Sequence, residues 1–314
     1  MVSAALLLLV AVCCLIAMEA LHRAEWPSRG PYTAVVTWQA LGLAWGVSTI
    51  GALLAFGLSS YQLGAAGGVM ALVSDILTGD LFLAELSQGL VGISHIVAVV
   101  LAVVLTLVLF VGLVSSFVHV VRVRRRHHDL LELIGSDHPD IPGARVVDHP
   151  AAAAYCLPGV LRSQVVISAG ALAVLDNREL AAVLAHEHAH LRQRHDLVLL
   201  PFSSLKRAFP RVRLVRTYYE SVALLIEMCA DDQARRKSSS RELAMALLRF
   251  GAAGPSLVPA GAMAVASEAE PGVLKRVNRL LQPYDELPYH AGAFIMGSSA
   301  FLLTTVTCLW HIPV

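Results

Sequence analysis

The sequence is short of charge. Only 15% of its 314 residues are Asp, Glu, Lys or Arg, and 56% are hydrophobic, whereas an ordinary soluble domain carries about 25% charged residues. Mean hydropathy is +0.66. A water-soluble enzyme throughout is excluded, and so is intrinsic disorder. The net charge of +1 leaves no cationic excess for general nucleic-acid binding. The cysteines number 5, with no spaced pairs, which excludes a disulfide-built secreted scaffold.

The charges that are present come in blocks. None occurs in 1–18, in 30–74, in 86–121 or after Glu286, while 122–286 is densely charged. A membrane-spanning helix needs about 20 mostly apolar residues. Four segments meet that need, at about 2–19, 34–58, 93–120 and 291–313. The first lacks the Lys or Arg that opens a signal peptide, so it is expected to be a retained helix. Residues 1–121 thus read as a membrane region, 122–290 as one water-exposed domain and 291–314 as a fourth span.

Basic residues mark cytoplasmic flanks. Arg23 and Arg29 follow the first span, Arg122, Arg124, Arg125 and Arg126 follow the third, and Lys275, Arg276 and Arg279 precede the fourth. Link 59–92 holds Asp75, Asp80 and Glu85 but no Lys or Arg. The expectation is a multi-pass inner (plasma) membrane protein with both termini outside and the 122–290 domain in the cytoplasm. The run at 122–126 is expected to touch anionic lipid headgroups rather than nucleic acid. Link 59–92 reads equally as a re-entrant segment or a loop packed on the bundle. In reducing cytosol and membrane, no disulfides are expected.

Within the domain, Asp129–Gly135 reads as a short amphipathic helix. Ala144–Asp148, Ala152–Cys156 and Gln164–Ser168 read as strands. Asp176 and Glu179 form a capping box for a helix carrying His186-Glu187-His188-Ala189-His190. Positions i and i+4 lie about 40° apart on a helix, so His186 and His190 share a face and can reach one tetrahedral Zn²⁺. Glu187 is offset, as a general base acting on water must be. His188 and His195 read as off that face. The preceding Ala181–Ala185 is apolar, so this turn is expected to be buried, and buried His and Glu need partners.

A hydrolytic zinc site takes a third protein ligand and leaves one position open. Glu227, in the apolar helix around Glu227-Met228-Cys229-Ala230-Asp231-Asp232, is the candidate. Asp231 shares its face at i+4 and is placed to hold a ligand histidine by its ring N–H. Glu220, Cys229 and Asp232 are rivals for the third position. Strand 152–156 is a candidate edge template for extended substrate, through Ala153, Ala154 and Tyr155.

These motifs, with Ala153–Gly159 and Val165–Ser168 before them, resemble the gluzincin membrane proteases with H-E-x-x-H and E-x-x-A-D-x-x-A. Two groups share the pattern, the HtpX/CAAX-protease group and the BlaR/MecR antirepressors. Three spans before the domain and one after resemble BlaR/MecR. The fold class implied is mainly α: four transmembrane helices with a cytosolic α+β metalloprotease domain inserted between the third and fourth. The resemblance implies one Zn²⁺ per chain, and as partner a cytosolic winged-helix repressor of the BlaI/MecI kind, with no direct nucleic-acid contact; the basic turn at Arg235-Arg236-Lys237 reads as a solvated turn rather than a self-cleavage site. Two departures stand out. The sequence stops at Val314 without the penicillin-binding sensor domain, and Glu270-Pro271 stands where relatives place a His-Pro whose histidine stabilises the oxyanion. Two alternatives remain: quality control of membrane proteins as in HtpX, and a non-catalytic protein with a structural zinc closed by a fourth ligand such as Cys156 or a histidine.

Overall fold

A computed structural model describes residues 2–78, 89–137, 144–158, 163–253, 263–264, 270–282 and 285–313. The chain divides into two compact units, one of Met1–Gly112 with Leu287–Val314 and one of Leu113–Glu286.

Four helices are long and apolar enough to cross a membrane: Val2–Arg23 (α1), Pro31–Gly57 (α3, after the short α2 at Trp26–Arg29), the long Leu90–Ile134 (α5) and Tyr289–Leu309 (α12). Helix α1 buries Leu7, Ala11, Cys14, Met18 and Leu21, a stripe at alternating four- and three-residue steps that is the seam of a packed helix pair. Its partner α3 buries Ala34, Trp38, Leu41, Ala44 and Ser48. Gly51 is needed there, because a Cβ would strike the Trp310 indole, whose Nε1 donates to the Val47 carbonyl at 3.2 Å. Link 59–92 contains a helix, α4 (Gly64–Thr78), tied back by Tyr61 Oη donating to Asp75 Oδ2 at 2.5 Å. Leu81–Ala84 lies outside the described residues.

The separate amphipathic helix expected at Asp129–Gly135 is instead the end of α5, a single helix of 45 residues. Nothing breaks it: from Leu113 to Ile134 there is neither Gly nor Pro. The boundary expected at 121/122 therefore falls inside a helix, and the compact units part at 112/113.

The second unit is built on a small sheet with order β1-β2-β4-β3-β5, comprising Ser136–Asp137, Ala144–Val147, Gln164–Ser168, Ala154–Leu157 and Met263–Ala264 in that spatial order. β2 and β4 are parallel and the other pairs antiparallel. Val165 and Ile167 of β4 face a core shared with Ala182 and Val183 of α7 (Asn177–Gln193), Leu243, Leu247 and Phe250 of α10 (Ser240–Ala252), and Val277 and Leu280 of α11 (Glu270–Leu281). On the other face Val166, Tyr155 and Leu157 pack with Leu131 of α5. The remaining helices are α6 (Ala169–Val174), α8 (His195–Ala208) and α9 (Arg213–Ala234).

One expectation is corrected here. Strand β3 is not an edge: β4 lies on one side, and β5 pairs on the other through Tyr155↔Ala264 and Cys156↔Met263. Ala153 is also committed, since its N–H donates to Ser168 Oγ at 2.8 Å and its carbonyl accepts from Ser168 N at 2.9 Å. At the Tyr155–Cys156 register, therefore, the side of β3 away from β4 is already paired. The pairing with β5 joins segments far apart in sequence, which local patterning around 152–156 does not reveal.

Candidate metal centre

Helix α7 begins on a reciprocal cap. Asp176 Oδ1 accepts from the backbone N–H of Arg178 and Glu179, each at 2.9 Å, and Glu179 Oε2 accepts from Asp176 N at 3.0 Å. This start sets the helical phase. The inward face then carries Ala182, Val183, His186, Glu187, Ala189 and His190, all buried. His188 points outward and bonds its ring Nδ1 to the Leu184 carbonyl at 2.7 Å. Helix α9 delivers Glu227, Ala230 and Asp231 from a similarly buried face.

His186, His190 and Glu227 converge, with one ligand atom from each lying within 4.8 Å of the others. The two Nε2 atoms are 3.0 Å apart. Glu227 Oε2 is 3.3 Å from His186 Nε2, and Oε1 is 3.4 Å from His190 Nε2. Ligands held at about 2.05 Å in tetrahedral geometry stand about 3.3 Å from one another, and the separations between each ring nitrogen and its nearer Glu227 oxygen are of that size. Among the described residues no other group of His, Cys, Asp and Glu converges in this way.

Behind the donors lies a second layer of contacts. Asp231 Oδ1 sits 2.9 Å from His186 Nδ1, off the ideal hydrogen-bond line. Asp231 is gripped in turn by Arg276 from α11: Nε donates to Oδ2 at 2.9 Å and Nη2 to Oδ1 at 2.7 Å. Arg276 Nη1 also reaches Glu227 Oε2 at 3.0 Å. This arginine is 0% exposed. In the sequence it reads as a topological charge before the fourth span and as the Arg of the Glu270-Pro271…Arg276-Val277 segment, without a partner assigned. A cation on an amphipathic helix, 45 residues from Asp231, carries no local sign of burial.

The electrostatics follow from that packing. Burial pushes Asp231 up, but Arg276 and His186 outweigh it and hold the carboxyl at about 2. Burial pushes His186 down, yet Asp231 and Glu227 carry it up to about 9. Glu227 is disfavoured by burial, but His190 and Arg276 keep it well below the usual carboxylate range. Burial lowers His190. His195, expected off the ligand face, does not join the three donors but stands edge-on behind His190 with ring centroids 4.8 Å apart, and burial followed by the His190 charge presses it down to about 3.

The other candidates lie elsewhere. Glu220 is exposed and pairs loosely with Arg216. Asp232 is held by two bonds from Arg279 at 2.7 and 2.8 Å. Cys229 is buried outside the cluster, its thiol pushed up to about 12 by burial. Cys156 is raised well above its usual value, first by burial and then by Glu187, to which its thiol is hydrogen-bonded. Glu187 is 0% exposed beside these groups. Two imidazoles and one carboxylate thus converge, and a further buried carboxylate, Glu187, stands next to His186 in sequence.

Residues 120–225 match the model of Peptidase family M48. No curated protein matches the chain. The matched stretch contains His186, Glu187 and His190 and ends just before Glu227. Taken with the His-His-Glu cluster, the match supports a metallopeptidase of family M48.

Proposed function

We infer that the chain is an integral-membrane zinc endopeptidase cleaving a cytosolic protein. The observation that carries this reading is the convergence of His186, His190 and Glu227 within 4.8 Å, next to Glu187. His186, His190 and Glu227 would hold the ion, and three protein donors leave one position open. When bound, zinc supplies Lewis acidity to water and to a peptide carbonyl. Glu187 takes the proton of the attacking water and delivers it to the departing amine nitrogen. Asp231, anchored by Arg276, keeps the His186 ring turned so that Nε2 faces the cluster. A structural site would need a fourth protein ligand, and the cluster among the described residues has three members.

The substrate class follows from the resemblance to BlaR/MecR: a winged-helix repressor of the BlaI/MecI kind, whose cleavage releases transcription. Four apolar helices and a basic flank after the third support an anchored protease acting on the cytoplasmic side.

Glu187→Gln is the decisive variant. It keeps the three donors, so zinc content should match wild type, while cleavage of a co-expressed repressor should be lost. Retained cleavage would sink the assignment of the base. A repressor intact beside the wild type, together with loss of misfolded membrane substrates, would move the protein to quality control.

A further inference from the structure

Behind His190 the structure holds a hydrogen-bonded relay that the mechanism above leaves unused. His195 Nδ1 lies 2.9 Å from His190 Nδ1, and His195 Nε2 lies 2.8 Å from Gln193 Oε1. His195 is buried.

The protons of this relay can be placed one by one. A neutral imidazole carries one N–H and one bare nitrogen. His190 turns Nε2 toward the cluster, and a cation needs that nitrogen bare, so its proton sits on Nδ1. Two ring nitrogens 2.9 Å apart hold one proton between them. Nδ1–H of His190 therefore donates, and Nδ1 of His195 accepts. The proton of His195 is then on Nε2 and is donated to Gln193 Oε1. Every proton has one position, and the ring facing the metal has one tautomer.

The backbone is bent to make this possible. On a continuous helix, residues five apart are turned by about 140°, which would carry His195 away from His190. Arg194 interrupts the helix in the left-handed region at φ 50, ψ 43, and its N–H caps the His190 carbonyl. An L residue with a Cβ occupies that region at a steric cost, and here the chain accepts it without glycine. The turn folds His195 back over His190. On its far side the next residue, Asp196, pairs with Arg124 Nη1 at 2.8 Å and is 1% exposed.

We propose that His195 is the positioning residue of His190, accepting its Nδ1 proton and so fixing the tautomer and ring plane that present Nε2 to zinc. The proposal rests on the zinc reading of the site. It gives the two ligand histidines different supports, a carboxylate behind His186 and a neutral ring behind His190.

Two variants of the full-length protein in detergent test it. His195→Phe fills the space without an acceptor. His195→Asn places Oδ1 where Nδ1 stood and keeps one. Zinc affinity is read by chelator competition, and the visible spectrum of the cobalt-loaded protein reports ligand geometry. Losing the partner of a ligand histidine weakens metal binding by about 10–100-fold. His195→Phe should show that loss and an altered cobalt spectrum, while His195→Asn should restore both toward wild type. Wild-type affinity in His195→Phe would overturn the proposal, as would His195→Asn binding as weakly as His195→Phe. A wild-type protein that binds no zinc would instead overturn the reading of the site itself, and this proposal with it.

Discussion

At the scale of single residues, the site is a buried set of charges in which Arg276 and His186 face Glu227 and Asp231. Glu227 and Asp231 are both buried, and an isolated carboxylate in such surroundings is costly. Arg276 meets both. Breaking a buried pair by removing one partner costs about 3–5 kcal/mol. Arg276→Ala should therefore lower the thermal midpoint sharply. Arg276→Lys keeps the charge but cannot make the two-pronged contact, so it should fall between. Thermal unfolding of the three proteins in detergent checks the order, and an Arg276→Ala midpoint equal to wild type would refute the role. A second prediction concerns protons. The metal-free protein holds His186 at about 9, above its ordinary 6.5, through Asp231 and Glu227 against the opposing effect of burial. The stability this ring lends is complete below its unfolded value and is lost as pH rises through about 9. Zinc needs the neutral ring, so loading at pH 7.5 should release about one proton, and affinity should climb with pH toward 9. Titration calorimetry in buffers of different ionisation enthalpy measures this. An enthalpy independent of buffer would show that His186 is already neutral.

At the scale of elements, what could be read in advance depended on whether the signal was local. The α7 cap was visible because Asp176 and Glu179 lie three apart, and the strand at Gln164–Ser168 because its apolar run is short and bounded. Spacing of four along α7 and α9 put His186 with His190 and Glu227 with Asp231, each pair on one face. Three features lay beyond such reasoning. β5 pairs with β3 from more than a hundred residues away. Arg276 looks like any basic residue on an amphipathic helix. The return of His195 depends on a left-handed Arg194, a position where sequence leads one to look for Gly or Asn. That last element makes its own prediction. Arg194→Gly should leave stability near wild type, because relief of the left-handed cost is offset by a freer unfolded chain. Arg194→Val, β-branched and poorly suited to positive φ, should be less stable than Arg194→Gly by about 1–2 kcal/mol. Comparative thermal unfolding decides, and equal midpoints would mean the turn is not strained.

For the whole molecule, the orientation in the bilayer follows from where the cations are absent. Link 59–92 carries Asp75, Asp80 and Glu85 and no Lys or Arg, whereas Arg122, Arg124, Arg125 and Arg126 crowd the start of the long charged region. Lys and Arg near span ends resist translocation, so the two regions should lie on opposite sides of the bilayer. Two exposed turn positions report this. Gln62 follows α3 in a left-handed turn, and Lys237 follows α9 in the turn before α10. The native background is quiet: Cys14, Cys156 and Cys229 are buried, and the exposed Cys13 and Cys308 lie on apolar helices long enough to be shielded by lipid. In intact cells a membrane-impermeant maleimide should label Gln62→Cys and spare Lys237→Cys. Permeabilised cells should label both. The reverse pattern would place the His-His-Glu cluster outside the cytoplasm, and a cytosolic repressor could not then be its substrate. Labelling of both positions in intact cells would mean that no net membrane crossing separates them. Because among the described residues only α5 has the length and hydropathy of a span between those two positions, that result would single out the 45-residue helix as the one lying outside the bilayer.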